Sequence, residues 1–318
     1  MTVPTRQREE HSRPAQASLP VVALFGPTSS GKTGIALALA AMLRERGEDP
    51  VAVNCDAIQA YEGLEVLSGA ASPAERERLE HRMLSFASPE EELSAGRFAT
   101  MAQAEIDDLA RDGRRVFAVG GTGLWLMAAL TEMELRPPVE QRIRRAVERR
   151  VELEGAAALH AELPEEIRER VEPTDRQRIG RAHELIAAGH EPWTRSDGIW
   201  EAPDRRPTIW IGITASREEL QRRIERRVSE SAEAGRDEAL RLSDGSPSRT
   251  AAAAIGIREY ADGDLAGLTA RHLSYAKRQK TWMRRLERAA VIDRTGATDE
   301  EAASEALKVM DRAEGETR

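Results

Sequence analysis

Apolar residues fall along the chain in two rhythms. Short unbroken apolar runs, the mark of strands buried on both faces, occur at residues 21–25 (Val-Val-Ala-Leu-Phe), 51–53, 116–119 (Val-Phe-Ala-Val) and 208–213 (Thr-Ile-Trp-Ile-Gly-Ile). Between them the spacing turns helical. Ile35, Leu39, Met42 and Leu43 share one face of a helix that Gly47 stops. Phe98, Met101, Ala102, Ile106, Leu109 and Ala110 give residues 94–111 an apolar stripe, ended by Gly113. Residues 62–80 read as loop and charged helix, 124–130 as an apolar helix, and 291–293 as a last edge strand. Thr298 and Glu301 are spaced as the capping box of a terminal helix. Buried strands alternating with helices predict an α/β protein built on a parallel sheet.

The rhythm breaks at Arg136-Pro137-Pro138. Residues 139–206 are charged and helical, with breaks at Gly155, Pro164, Pro173 and Gly189, and no strand is obvious. Pro203 and Pro207 close the segment before the 208–213 run resumes the sheet. The expectation is an all-helical insertion over 139–206 within a core made of 19–138 and 207–318. Residues 1–18, polar and containing Pro4 and Pro14, read as a disordered tail. Residues 217–242 read as a long, very charged helical region. Gly256 is oddly placed for a helix interior in the segment 250–260. The stretch 271–288 is basic, carrying Arg271, Lys277, Arg278, Lys280, Arg284, Arg285 and Arg288 against Glu287 alone. There is no internal repeat.

Composition narrows this picture. Aromatics are only 4% of the 318 residues, so the core must come from Leu, Ile, Val and Ala. A net charge of −8 argues against a surface coated in non-specific nucleic-acid affinity, yet leaves room for a local basic groove. The one cysteine, Cys55, excludes an internal disulfide and reads as a buried thiol. No apolar run is long enough for a bilayer, and the first residues lack a signal-peptide stretch, so a cytoplasmic location without membrane partners is expected. Neither a Cys/His metal cluster nor a Ser-His-Asp arrangement is visible.

The chemistry concentrates after the first strand. Gly26-Pro27-Thr28-Ser29-Ser30-Gly31-Lys32-Thr33 fits G-x-x-x-x-G-K-[ST] at every fixed position, with a strand before it and a helix behind. Backbone N–H groups of such a loop converge on phosphate, and the helix adds its positive dipole end. Lys32 supplies charge, and the Thr33 hydroxyl can ligate Mg²⁺. The loop therefore binds a di- or triphosphate. Asp56 falls at the C-terminal end of the second strand, where a parallel sheet opens its ligand crevice; the alternative is a helix cap or turn aspartate. The strand at 116–119 runs into Gly120-Gly121-Thr122, where a motor-type NTPase would place a Mg²⁺-binding aspartate. That arrangement suits group transfer better than ATP-driven motion.

The ordered set of motifs resembles the tRNA dimethylallyltransferase (tRNA isopentenyltransferase) family. GPTSSGKT is similar to its phosphate loop, NCDAIQAYEGL (54–64) to D-S-x-Q-x-Y-x-G-L, HRML (81–84) to H-H-L-I, and SAGRF (94–98) to S-A-x-x-F. VGGTGLW (119–125) is similar to V-G-G-T-G-L-Y, and TDRQRIGRAHEL (174–185) to N-D-x-Q-R-I-x-R-A-L-E-V. TAAAAIGIREY (250–260) resembles T-x-Q-A-I-G-Y-x-E, and YAKRQKTWMRR (275–285) resembles R-Y-A-K-R-Q-x-T-W-F-R. The resemblance implies a P-loop NTPase-like core and transfer of a dimethylallyl group from dimethylallyl diphosphate to N6 of the adenosine at position 37, beside the anticodon, in tRNAs reading U-starting codons.

It also implies residue roles. Asp56 would be the general base and Arg227 would stabilise the leaving charge. Gly26, Pro27, Thr28, Ser29, Ser30, Gly31, Lys32 and Thr33 would hold the diphosphate, with Thr33 on Mg²⁺. The tRNA anticodon stem-loop would meet Asp56, Ala57, Ile58, Gln59, Thr122 and Arg144. It would also meet Gln177, Arg178, Ile179, Gly180 and Arg181, the run Ala253, Ala254, Ile255, Gly256, Ile257 and Arg258, and the basic residues Lys277, Arg278 and Lys280. A monomer is expected. The sequence departs from the pattern at Ala57 (for serine), at 66–71 (which lacks a lysine), at Arg82 (for histidine), and at Ala253 and Ile257 (for glutamine and tyrosine). Most of these departures fall at or near expected tRNA or base contacts, and they leave the phosphate chemistry intact. Two other readings stay open: prenyl transfer to a small adenine nucleotide, and a tRNA-binding homologue that has lost catalysis.

Overall fold

The computed structural model describes residues 19–121, 123–133, 135–192 and 198–316. The expected disordered tail at 1–18 lies outside the described residues. Strands β1 (Val21–Phe25), β2 (Pro50–Asn54), β3 (Glu80–Arg82), β4 (Arg115–Gly120), β5 (Thr208–Thr214) and β6 (Ala290–Asp293) form one sheet in the order β3-β2-β4-β1-β5-β6. Every pairing is parallel. The four apolar runs are β1, β2, β4 and β5, buried because helices cover both faces.

Side chains alternate between two cores, as the strand period of two requires. On one face Val22, Leu24, Phe117, Ile209 and Ile211 meet the helices Lys32–Glu45 and Asp299–Glu316. On the other, Val21, Ala23, Val53, Val116 and Trp210 pack with helices that include Ala95–Arg111, Gly123–Leu130 and Arg217–Glu230. Thr298 and Glu301 exchange the two hydrogen bonds of the expected capping box. Between β4 and β5 the described residues contain helices and no strand of this sheet. Val147, Val151, Leu159, Leu163, Ile167 and Ile179 form a third apolar cluster there, separate from the two sheet cores.

Three local readings change. Residues 62–80 contain the short helices Glu65–Ser68 and Pro73–Arg78, and then β3, which went unread. β3 is only Glu-His-Arg on a sheet edge, partly exposed, so it carries no apolar signal. The long charged helical region resolves into two helices, Arg217–Glu230 and Ala232–Asp244, broken at Ser231. The Ser231 hydroxyl bonds the Arg227 carbonyl and the Tyr260 hydroxyl, both at 2.6 Å. Gly256 is not in a helix interior; with φ 105° it is the left-handed cap that starts the helix Ile257–Asp262. The basic stretch lies mostly in the helix Leu265–Met283, which buries Leu268, His272, Ala276, Gln279 and Met283 on one side.

Candidate active site

Spatial strand order reverses around β1, so the loops after β1, β2 and β4 open into one crevice at the carboxyl edge of the sheet. The loop after β1 is sharply constrained. Gly26 (φ 157°) passes so close to the Ile213 carbonyl that a side chain there would collide with it, and Gly31 (φ 85°) caps the helix Lys32–Glu45. Lys32 Nζ donates to the carbonyls of Gly26 and Pro27, both at 3.0 Å. Burial, opposed by Asp56 and aided by Arg227, lowers its pKa to about 8. The Ser30 hydroxyl is fully buried and has no partner in the structure.

Arg227 approaches Thr28 from the helix Arg217–Glu230. Its guanidinium donates to Thr28 Oγ1 at 3.2 Å and to the Val66 and Leu67 carbonyls at 3.3 and 3.1 Å. Burial lowers its pKa, while Tyr260 and Asp56 oppose the shift. Gly69 makes room for it: a Cβ there would lie 2.5 Å from Arg227 Cζ. The turn that supplies those carbonyls is fixed by Glu238, which accepts from the Val66 and Leu67 amides at 2.9 Å. Burial raises the Glu238 pKa.

Asp56 follows β2 and is held by its neighbours. Its backbone N–H donates to Asn54 Oδ1 at 2.9 Å, its carbonyl accepts from Asn54 Nδ2, and Oδ1 accepts from the Ile58 N–H at 3.0 Å. The carboxylate thus also serves as the cap that an ordinary turn aspartate would provide. Cys55 is buried, which pushes its thiol pKa up.

A cavity of about 2080 Å³ joins these groups. Thr28, Ser29, Gly31, Lys32, Thr33, Asp56, Ala57, Ile58, Gln59 and Arg227 line it. So do Arg144, Gln177, Arg178 and Arg181 from the helical segment, and Ala253, Ile255 and Arg278 from the C-terminal part. Gly26, Pro27 and Ser30 lie behind the lining; Ser30 is fully buried. Ile179 packs inside the third apolar cluster with no exposure, and Ala254 is also buried, so neither side chain reaches a ligand. Gly180, Gly256 and Ile257 stand off the cavity wall. Arg258 is exposed elsewhere and pairs with Asp262 at 3.4 Å. Lys277 is exposed outside the cavity, and Lys280 Nζ is committed to the Ala215 carbonyl at 2.9 Å. Thr122 lies outside the described residues.

Two cavity residues went unread in the sequence. His272, buried with its Nδ1 unpartnered, is driven down to about 4 by burial and then by Arg227 and Arg271. Gln279 accepts from the Thr28 N–H at 2.8 Å and donates to the Gly121 carbonyl at 2.7 Å. In the sequence His272 shows only as helical spacing on the buried face of the basic helix, and Gln279 only as a position within the matched segment 275–285. Among the described residues no helix is long and apolar enough to cross a membrane, and no three acidic, His or Cys side chains group around a metal position.

The IPP transferase family model matches residues 59–286. The chain is 34% identical over 274 residues to the tRNA dimethylallyltransferase of Bifidobacterium adolescentis, covering 83% of this chain and 80% of that one. It is similar to the full-length tRNA isopentenylpyrophosphate transferase of Bacillus halodurans, with a TM-score of 0.64 and 27% identity over 93% of this chain and 98% of that one. A eukaryotic dimethylallyltransferase solved acting on tRNA shares the fold, with a TM-score of 0.72 at 21% identity, over 91% of this chain and 78% of that one.

Proposed function

The chain belongs to the IPP transferase family and is a tRNA prenyltransferase, and we propose that it moves a dimethylallyl group from dimethylallyl diphosphate to N6 of the adenosine beside the anticodon. The observation that carries this reading is the shared cavity. A phosphate loop, an aspartate beside it and the arginines of the helical segment all face one space. The order of events follows from their chemistry. The loop amides, Lys32 and Arg227 hold the diphosphate and stabilise the charge that grows as the C1–O bond breaks. The N6 lone pair attacks C1, diphosphate leaves with the bonding electrons, and the proton shed by N6 passes to Asp56. Gln59 lies beside Asp56 on the wall of the cavity and reads the base.

A hard cation fits this donor set, because the Thr28 and Thr33 hydroxyl-bearing side chains line the same cavity as Asp56. Thr33 would hold Mg²⁺, which when bound would supply positive charge to the leaving group. The target base must leave its stack, at a cost of a few kcal/mol. Arg144, Arg178, Arg181 and Arg278 would offset that by holding the anticodon stem-loop between residues 139–206 and the C-terminal helix. The protein works as a cytoplasmic monomer on this reading. A free adenine nucleotide would leave most of a cavity of about 2080 Å³ unfilled. Supplying labelled dimethylallyl diphosphate with tRNA and AMP together tests the choice. Label should enter only the tRNA; label in AMP would overturn the assignment of the acceptor.

A further inference from the structure

We propose that Gln279 is a positioning residue that fixes the distance between the diphosphate and the attacking amine. The proposal rests on the prenyl-transfer reading above. The reaction joins two groups held by different parts of the sheet edge. The leaving diphosphate belongs to the loop after β1, whereas the amine belongs to Asp56, after β2. In spatial order β4 lies between those strands, and its terminal glycines separate the two half-sites. Gln279 crosses this gap.

Its side chain is 4% exposed, and both ends of its amide are used. Oε1 accepts from the Thr28 N–H of the phosphate loop, and Nε2 donates to the Gly121 carbonyl at the end of β4. The amide orientation is set by these partners, since the reverse would oppose two N–H groups and two oxygens. Gly121 is close to both half-sites: a Cβ built on it would lie 3.5 Å from the Gly26 carbonyl oxygen and 3.7 Å from Asp56 Oδ2, and would strike Gln279 Nε2. Thr28 is therefore fixed twice, through its backbone by Gln279 and through its hydroxyl by Arg227. Gln279 belongs to the helix Leu265–Met283, so the tether is rooted in a packed element and not in a loop.

Of the side chains of this length, only an amide accepts at one end and donates at the other. A carboxylate could still take the Thr28 N–H but would oppose the Gly121 carbonyl. A thioether would lose both bonds. Reacting atoms must approach to about 3–3.5 Å, and a misplacement near 1 Å costs on the order of 100-fold.

The test compares full-length wild type, Gln279→Glu and Gln279→Met. Three quantities are read: the single-turnover rate at saturating dimethylallyl diphosphate and tRNA, the Kd of each, and hydrogen exchange at the Thr28 amide. Both variants should lose about 100-fold in the saturated rate, with each Kd held within about twofold. Thr28 exchange should accelerate in Gln279→Met and not in Gln279→Glu. An unchanged rate, or a loss explained wholly by weaker diphosphate binding, would overturn the proposal. So would equal Thr28 exchange in wild type and Gln279→Met. If Gln279→Met does not fold, the isosteric Glu variant still decides from its rate. A wild type that prenylates no tRNA would count against the function, and the exchange comparison would still decide the tether.

Discussion

Lys32 should cost the folded protein stability, and replacing it should reveal the cost. Its pKa falls from 10.5 to about 8 on folding, chiefly through burial. At about 1.4 kcal/mol per pKa unit, the charged form is disfavoured by at most roughly 3 kcal/mol. Cavity water reaches part of this side chain and reduces that figure. The two bonds to the Gly26 and Pro27 carbonyls return about 1 kcal/mol each. Because the folded pKa lies below the unfolded one, the unfolded chain holds the proton more tightly. The cost is full below about pH 8 and is relieved as pH rises from about 8 to 10.5.

Lys32→Met should therefore be more favourable relative to wild type at pH 7 than at pH 10, by roughly 1–3 kcal/mol. Urea unfolding of both proteins at the two pH values measures this difference. Groups common to both proteins cancel, which matters because many side chains titrate over the same range. Diphosphate should stabilise wild type at pH 7 and leave Lys32→Met nearly unaffected. A wild-type-to-variant difference independent of pH would refute the reasoning.

Other consequences follow from the same geometry. Asp56→Ala should lower the single-turnover rate by roughly 10²–10⁴-fold while tRNA binding persists; an unchanged rate removes Asp56 from the chemistry. Dimethylallyl diphosphate affinity should weaken as pH rises through about 8, where Lys32 loses its charge, with proton uptake on binding measurable by calorimetry in buffers of different ionisation enthalpy. Gly69→Ala places a methyl 2.5 Å from Arg227 Cζ and strains a φ of 64°, so it should weaken diphosphate binding more than tRNA binding, as paired titrations would measure. Arg278→Gln should reduce the salt slope of tRNA binding by about 0.7–0.9, whereas Lys280→Gln, whose ammonium is tied to the Ala215 carbonyl, should leave the slope unchanged.

The legible parts of the molecule were those whose signal is local. β1, its loop and the helix behind it could be read because the apolar run, the glycines and the helical spacing are contiguous. Asp56 could be placed because a parallel strand points its C-terminal end at the crevice. β3 could not, since three polar residues on a sheet edge have no burial pattern to display. The contact of Gln279 could not either, although the residue lies in the matched segment 275–285: its partner Thr28 is 251 residues away, and the intervening chain must fold before the two meet. The basic stretch shows a related limit, since Lys277, Arg278 and Lys280, all expected at the tRNA, face different ways. Its helix buries one side, points Arg278 into the cavity, leaves Lys277 outside, and turns Lys280 to a backbone carbonyl. Net charge along a segment does not reveal which way each side chain faces.

The central claim is that the phosphate loop delivers a prenyl group to an adenine amine beside Asp56. The most direct measurement is a single-turnover reaction of the protein with labelled dimethylallyl diphosphate and an unmodified anticodon stem-loop. It is paired with a stem-loop whose target adenosine is replaced by purine riboside, which lacks the N6 amine. The account predicts one label per adenosine-bearing RNA, one diphosphate released for each, and no label on the purine riboside RNA. Label on both RNAs, or tRNA-stimulated ATP hydrolysis with no label on either, would contradict it.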